Sequence, residues 1–260
     1  MARLYLIGQS RPVAQKTSSA GIKPRLIAIV AFDGVVLGDL SMPGEVFGRA
    51  HGRYEVRVCS ASPRVQTEHL TLIVPHRLAT LARAHTIIVP GVDRLDRAIP
   101  PAVLRALRRA VDRGARVASI CTGAFVLAAT GALDGLKATT HWMGAAELAR
   151  RHPRIEVDPN VLYVDNGQVL TSAGAAAGLD LCLHLVRRDL GAEIAAQVAR
   201  AAVMPLERAG GQAQFIVPAV PEGEGSMVHL LGWLDQNLKK ELSLPVIAKR
   251  AAMSTRTLST

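Results

Sequence analysis

One stretch, residues 117–125, limits how this chain can fold. A short apolar run leads into Cys121-Thr122-Gly123, and a helical pattern begins directly after it. This order predicts a buried strand, a sharp turn and a helix, with Cys121 at the end of the strand and over the N-terminus of the helix. Helix N-termini favour anions and lower a thiol pKa, so the position suits a nucleophile. Alternatively, Cys121 is a small buried apolar residue, as free cysteines usually are.

Apolar runs alternate with amphipathic helical patterns along most of the chain. Buried strands are predicted at residues 26–32, 86–89 and 117–120, and a strand of alternating pattern at residues 54–59. Helices are predicted at residues 101–113, 175–190 and 192–204. Residues 162–171 predict a hairpin with Asn-Gly at its turn, and residues 71–74 a further strand in a possible hairpin. Strands that alternate with helices form a parallel sheet covered by helices. The pattern therefore predicts an α/β fold with a mostly parallel sheet.

Two predicted helix starts carry polar residues of interest. A helix over residues 42–50 would have Ser41 as its cap and Pro43 in its first turn. A helix over residues 144–151 would follow a short strand, residues 138–140, that delivers His141.

Length, cysteine count and charge limit the classes of protein. The 260 residues allow one large α/β domain with a small appendage, and no run approaches the roughly 18 apolar residues of a membrane span. Three widely spaced cysteines predict reduced thiols in a cytoplasm. Half of the net charge of +10 lies in residues 1–25, which predict a basic, irregular tail. A net positive charge is compatible with binding to nucleic acid, but a solvent-exposed surface rich in arginine would give the same net charge.

The composition changes after residue 208. Residues 26–208 carry the α/β pattern, and the glycine- and proline-rich residues 209–226 predict a linker. Residues 227–260 predict a small all-α segment, with helices at residues 227–238 and 246–251 and a third that starts at Thr255. A short helix, a tight turn and a polar-fronted helix follow the helix-turn-helix plan.

Several short motifs together resemble a known architecture. Three strings of residues resemble the ThiJ/PfpI superfamily, in its isonitrile-hydratase-like, class I glutamine-amidotransferase-like branch. They are Ile120-Cys121-Thr122-Gly123, Thr139-Thr140-His141-Trp142, and Asp39-Leu40 before Pro43-Gly44-Glu45-Val46-Phe47. The branch fused to an AraC/XylS-type DNA-binding domain is similar in residues 171–174, Arg187-Arg188 and Gly210-Gly211-Gln212-Ala213-Gln214. Residues 244–258 resemble the first half of that DNA-binding domain.

The resemblance implies a flavodoxin-like sandwich for residues 26–208 and candidate residues for two functions. In a pocket, Cys121 is the candidate nucleophile, Asp39 its acid and His141 a neighbour, with oxyanion donors drawn from Gly91, Thr122 and Gly123. For DNA, the candidates are Ser254, Thr255, Arg256 and Thr257. Asp39 could instead cap the helix near Ser41, and His141 could be a packed, satisfied histidine. Zinc ligand spacing and a glycine-rich phosphate motif are both missing from the sequence, so we expect neither metal nor cofactor.

The resemblance implies a cytoplasmic, homodimeric AraC-family transcriptional regulator. Its α/β domain would sense a small-molecule effector, such as an amide, nitrile-like compound or amine, and its helix-turn-helix would bind DNA. AraC-type domains usually carry two helix-turn-helix units, whereas this sequence stops at Thr260, inside the expected first recognition helix. We therefore expect a truncated C-terminus, weak or absent specific DNA binding, and partial disorder in residues 227–260.

Two other functions remain open. One is a small-molecule hydratase or amidase that uses Cys121 and Asp39. The other is a redox or aldehyde-stress protein that relies on Cys121, although the sequence offers no resolving cysteine near it.

Overall fold

The first part of the chain alternates strands and helices as its sequence pattern predicts. In the computed structural model the strands are β1 (Arg25–Ala31), β2 (Tyr54–Ser60), β3 (Arg64–Gln66), β4 (Thr71–Ile73), β5 (His76–Arg77), β6 (Thr86–Val89), β7 (Arg116–Ile120), β8 (Lys137–Ala138), β9 (Glu156–Val157), β10 (Tyr163–Asp165) and β11 (Val169–Ser172). The helices are α1 (Leu37–Gly48), α2 (Pro101–Asp112), α3 (Gly123–Thr130), α4 (Trp142–Arg151), α5 (Ala176–Leu190) and α6 (Ala192–Ala201), and a 3₁₀ helix spans Leu78–Arg83.

The structure describes residues 23–205, 208–211, 214, 230, 233–234, 236–237, 242–251 and 253–259. The chain divides into two units, residues 1–214 and 215–260. Most of the predicted tail, residues 1–25, and most of the predicted linker, residues 209–226, lie outside the described residues.

Seven strands form one sheet in the order β10-β11-β7-β6-β1-β2-β5. All neighbours pair in parallel except β10 and β11, which form the antiparallel hairpin predicted from Asn166-Gly167. Every residue of β6 and β11 is buried, because helices cover both faces of the sheet and leave no solvated face. The separate β3–β4 pair is also antiparallel, as the predicted hairpin requires.

The helices form two groups, one on each side of the sheet. In one group α1 packs on α5 and α5 on α6, and in the other α2 packs on α3 and on the 3₁₀ helix. This sandwich confirms the predicted α/β fold. Because the parallel strands run the same way, the turns after β6, β7 and β11 meet at one edge, the carboxyl edge. Cys121 lies at that edge.

Three helix starts were predicted too late in the sequence, and one of them is that of the helix predicted at residues 246–251, which begins at Leu244. Helix α1 begins at Leu37, so Ser41 lies inside the helix and the prediction of Ser41 as its cap is wrong. Pro43 is also interior rather than in the first turn. Helix α4 begins at Trp142 rather than at residue 144, and His141 is its cap. The errors at α1 and α4 arise because Val36 and His141 stand at the N-cap positions, where the usual Ser, Thr, Asp or Asn signal is missing.

In the second unit, α7 (Leu244–Arg250) and α8 (Thr255–Ser259) are joined by a turn. The N–H of Met253 donates to the carbonyl of Ala248 at 2.9 Å, and the N–H of Thr257 donates to Ser254 Oγ at 3.1 Å. The predicted helix start at Thr255 is confirmed, with Ser254 as its cap. Of the predicted helix over residues 227–238, residues 230, 233–234 and 236–237 are helical, and the others are outside the described residues.

Among the described helices, none combines the length and the apolar character that crossing a bilayer requires.

Candidate functional site

Cys121 occupies a strained turn between β7 and α3. Its φ is +56°, in the left-handed region that a residue with a side chain seldom adopts. Two hydrogen bonds fix this backbone conformation. The N–H of Cys121 donates to the carbonyl of Ser172 at 3.0 Å. The Cys121 carbonyl accepts from Thr140 Oγ1 at 2.9 Å. A strained backbone that neighbouring contacts fix in this way is typical of functional sites.

Two glycines allow the backbone to pack closely around Cys121. A Cβ at Gly174, where φ is +86°, would lie 2.3 Å from the Cβ of Cys121 and 2.9 Å from its sulfur. A Cβ at Gly123, the first residue of α3, would lie 2.3 Å from the carbonyl oxygen of Val89. Gly123 therefore has a steric role next to the turn, and its assignment as an oxyanion donor stays a prediction. Gly174 is a site residue that the sequence analysis did not identify.

Asp39 reaches the cysteine from the first turn of α1. Its side chain is buried, and its Oδ2 accepts from the N–H of Gly91 at 3.2 Å. Burial raises the pKa of Asp39, and hydrogen bonds from the Gly91 and Ala175 N–H groups and from the Cys121 thiol offset part of that rise. The alternative that Asp39 caps α1 is wrong, because the N-cap residue is Val36, whose apolar side chain cannot accept a hydrogen bond.

The Cys121 thiol carries its proton at neutral pH. Burial and the negative charge of Asp39 raise the pKa of Cys121 to about 11, against a smaller lowering by the Thr122 N–H. The position over a helix N-terminus favours a thiolate as the sequence suggested, but desolvation outweighs it. Burial therefore raises the pKa of both members of the pair, the Cys121 thiol and the Asp39 carboxyl group that it contacts.

Two of the three predicted oxyanion donors, Gly91 and Thr122, contact this pair. The N–H of Gly91 donates to Asp39, and that of Thr122 interacts with the sulfur of Cys121. The Thr122 hydroxyl accepts from the N–H of Val92 at 2.7 Å and donates to the Val92 carbonyl at 2.9 Å. Thr122 thus joins the turn after β6 to the turn after β7, and both N–H groups lie where negative charge on sulfur or carboxylate would be stabilised.

His141 lies beside the site and has a structural role of its own. As the N-cap of α4, it accepts the N–H of Met143 at Nδ1, at 3.4 Å. Its ring stacks on that of Trp142 with centroids 5.8 Å apart, which fits the alternative of a packed, satisfied histidine. His141 is near enough that its charge contributes to lowering the pKa of Asp39.

The turn from β11 to α5 supplies the neighbours that sequence reasoning missed. Ser172, Gly174 and Ala175 contact Cys121 or Asp39, and Ala175 has a positive φ of +46°. The available signal was their place directly after a buried strand, like that of Cys121 after β7. Among the residues that the structure describes, no group of three His, Cys, Asp or Glu side chains could hold a metal ion.

The model of the DJ-1/PfpI family matches residues 25–188, which include β1, the Cys121 turn and most of α5. The chain belongs to the DJ-1/PfpI family. This confirms the resemblance carried by the motifs around Asp39, Cys121 and His141, and the predicted flavodoxin-like fold.

Relatives of this DJ-1/PfpI chain include proteins named as regulators. The HTH-type transcriptional regulator CdhR of Pseudomonas aeruginosa is 28% identical over 222 residues, which take in 83% of this chain and 66% of CdhR. An uncharacterized protein in the cpoL 5′ region of Streptomyces lividans is 41% identical over 136 residues, 50% of this chain and 96% of that protein. The chain thus spans about two thirds of the length of CdhR.

The fold of the family domain is also found in a solved regulator structure. The crystal structure of an AraC family transcriptional regulator from Pseudomonas putida superposes with a TM-score of 0.63 and 22% identity. The superposition covers 69% of this chain and 100% of that one. At this identity the likeness concerns the fold.

Proposed function

We propose that this chain is a transcriptional regulator whose DJ-1/PfpI domain binds a small-molecule effector at the Cys121 site. The observation that carries the proposal is the extent of the similarity to CdhR. A match that takes in 83% of a 260-residue chain is longer than residues 1–188, so it continues beyond the family domain. An enzyme that consisted of the family domain alone would not require this similarity.

The chemistry of the site supports effector binding over catalysis. A nucleophile has to be a thiolate, and the pKa of Cys121 is raised to about 11. The buried carboxyl group of Asp39 and the half-buried thiol of Cys121 instead offer polar groups that the turns after β6, β7 and β11 hold together. A small effector with a hydrogen-bond donor would find its acceptor there.

The second unit supports the DNA-binding half of the proposal. Ser254, Thr255, Arg256 and Thr257 are all exposed, at the start of α8 after a tight turn. Buried Ala248 and Ala251 let α7 and the turn pack closely. The start of an exposed helix that follows such a turn is where a helix-turn-helix contacts DNA. A homodimer in the cytoplasm belongs to the same proposal.

A second candidate, a small-molecule hydratase or amidase, is favoured by one observation. The strained φ of Cys121, with a carboxyl group in contact with its thiol, is the arrangement of a nucleophile at the end of a strand. Incubation of the chain with small isonitriles and amides, followed by product detection, tests this candidate. Turnover that is lost in Cys121→Ser would establish it, and absence of turnover leaves the regulator.

The regulator is tested by selecting genomic DNA fragments on the purified full chain and sequencing them. We expect enrichment of fragments that share one sequence. Arg256→Ala should weaken binding to that sequence by about 1–3 kcal/mol if Arg256 contacts a base. The exposed Arg105 of α2 provides a matched control, because Arg105→Ala removes the same charge from the first unit.

The outcomes separate the possibilities. Equal loss of binding in both arginine variants would mean that only net charge matters, and the proposed contact surface would be wrong. Enrichment with no shared sequence, and with a steep salt dependence, would mean non-specific phosphate binding. Titration of the chain with the enriched DNA measures whether its specific binding is weak, as the sequence leads us to expect.

A further inference from the structure

We propose that three residues after α6, Arg208, Gly210 and Gln214, form a strap that couples the state of the Cys121 site to the segment entering the second unit. This inference rests on the proposed function, since it assigns the route by which an effector at Cys121 would act on residues 215–260. The first unit ends at Gln214, so the strap is the last described contact of that unit before the second begins. The glycine- and glutamine-rich motif of residues 210–214 thereby gains a physical role.

Arg208 attaches the start of the strap to α5. Its Nε donates to Asp180 Oδ1 at 3.0 Å, and a second hydrogen bond joins its Nη2 to Oδ2 of the same carboxylate. Asp180 is buried, with 5% of its surface exposed. A paired buried carboxylate holds its partner firmly, because separation would leave the charge without compensation.

Gly210 attaches the strap to the start of β10, an outer strand of the sheet. Its carbonyl accepts from the N–H groups of Leu162 at 2.7 Å and of Tyr163 at 3.2 Å, at the start of β10. A Cβ at this position would lie 2.7 Å from the Tyr163 ring, so a side chain here would force the ring or the strap to shift. At Gly211, next in the chain, a Cβ would have no heavy atom within 4 Å.

Gln214 attaches the end of the strap beside the cysteine site. Its Nε2 donates to the carbonyl of Val161 at 3.0 Å, and lies 3.4 Å from both the Thr140 carbonyl and Thr139 Oγ1. Thr139 and Thr140 are completely buried. The side chain therefore holds together the segment before α4 and the segment before β10.

Two short routes connect these anchors to Cys121. Thr140, whose carbonyl faces Gln214, donates its hydroxyl to the Cys121 carbonyl at 2.9 Å. Leu162, held by Gly210, accepts the N–H of Ala173 at 2.8 Å, and Ala173 precedes the glycine that packs on the sulfur. A group bound at the half-buried Cys121 sulfur would press on these close neighbours, and packed interiors transmit such shifts.

The test uses a matched pair of variants of the full chain, Gly210→Ala and Gly211→Ala. Hydrogen–deuterium exchange is followed in peptides that contain Cys121 and residues 139–141. We expect exchange to rise by about fivefold or more in Gly210→Ala and to stay at the wild-type rate in Gly211→Ala. Gln214→Glu, which replaces a donor by an acceptor facing three oxygen atoms, is a second variant with the same expected result.

Coupling is reciprocal, so the reverse experiment must agree. Iodoacetamide at pH 9 places a carbamidomethyl group on Cys121, verified by mass, and exchange is then followed in peptides spanning residues 208–214. Exchange there should change in the wild type and in Gly211→Ala, but not in Gly210→Ala. Thermal unfolding of each variant verifies that the fold is retained.

The strap is wrong if the two glycine variants behave alike, or if alkylation of Cys121 leaves exchange in residues 208–214 unchanged. Neither readout depends on DNA. Selective DNA binding together with a failed exchange test would therefore overturn the strap and leave the regulator. Coupled exchange in a chain that selects no DNA would support the strap and overturn the regulator.

Discussion

The two edges of the central sheet hold buried aspartates in opposite environments. At the carboxyl edge, Asp39 contacts a thiol and backbone N–H groups, and burial raises its pKa. At the amino edge, Asp189 at the end of α5 binds Arg116 through both oxygens, at 2.9 and 2.6 Å, and its pKa is lowered by that guanidinium and by hydrogen bonds that outweigh burial. Tyr54 donates to the same carboxylate at 2.9 Å.

The difference separates a cluster that stabilises the fold from a candidate functional site. The side chains of Asp189 and Arg116 are only 6% and 11% exposed, yet their charges compensate each other and join α5 to the starts of β1, β2 and β7. Asp39 has no cation in hydrogen-bond contact among its described partners, so its charge is costly in the fold. A carboxylate kept at such a cost, beside a strained cysteine, is typical of a site retained for function.

The largest expected effect is at the amino edge. Asp189→Asn leaves Arg116 buried without its counter-charge and should lower the free energy of unfolding at pH 7 by about 3 kcal/mol, measured by urea denaturation. The folded pKa of Asp189 lies below its ordinary value of 3.8, so its contribution is present above that pH and is lost as pH falls through the folded pKa. The difference in free energy of unfolding between wild type and Asp189→Asn should therefore shrink as the pH falls through the folded pKa of Asp189.

Asp96 provides the control for this prediction. It pairs with Arg94 on the surface, with both side chains about two thirds exposed. Asp96→Asn should change stability very little, since water screens such pairs. Equal effects at Asp96 and Asp189 would show that the amino edge is not a special cluster.

The next effect is the reactivity of Cys121. Because its pKa is raised from 9.0 to about 11, the thiolate fraction at pH 7 should be about a hundredfold below that of a free cysteine. The rate of iodoacetamide alkylation should rise with pH towards a midpoint near 11. Asp39→Asn removes a negative charge beside the sulfur and should move the midpoint to lower pH.

Alkylation of Cys121→Ser measures the background from Cys59 and Cys182, which are buried. A midpoint near or below the ordinary value would instead mean a reactive thiolate, and the hydratase or amidase would become the better proposal. No response to Asp39→Asn would mean that the two groups are not electrostatically coupled.

The smallest effect is the stability of Asp39→Asn, which should have the opposite sign from Asp189→Asn. The folded pKa of Asp39 lies above 3.8, so its ionised form costs free energy at pH 7, and that cost disappears as pH falls and the carboxyl is protonated. The substitution removes this cost, so it should raise the free energy of unfolding at pH 7. The gain should be at most about 1 kcal/mol, because asparagine has one hydrogen-bond acceptor fewer than the carboxylate. A loss comparable to that at Asp189 would remove the distinction between the two edges.

Sequence reasoning succeeded where a signal is local and repeated. The apolar runs at β1, β6 and β7 predicted buried strands, and Asn166-Gly167 predicted a hairpin turn, because these patterns depend on the period of a strand and on turn geometry. It failed at the start of α1, where Val36 precedes the helix without a polar cap. It also missed Gly174 and Ala175, since their place after a buried strand does not by itself indicate contact with Cys121 or Asp39, which are over fifty residues away.

The sequence by itself determined the α/β class, the strand–turn–helix around Cys121 and the family to which the chain belongs. Only the tertiary structure decided the chemical state of the site. A thiol over a helix N-terminus is expected to ionise readily, but burial and the approach of Asp39 from α1 reverse that preference. Desolvation and charge depend on which side chains meet in space, and the sequence order of residues 39, 121 and 174 does not contain that distance.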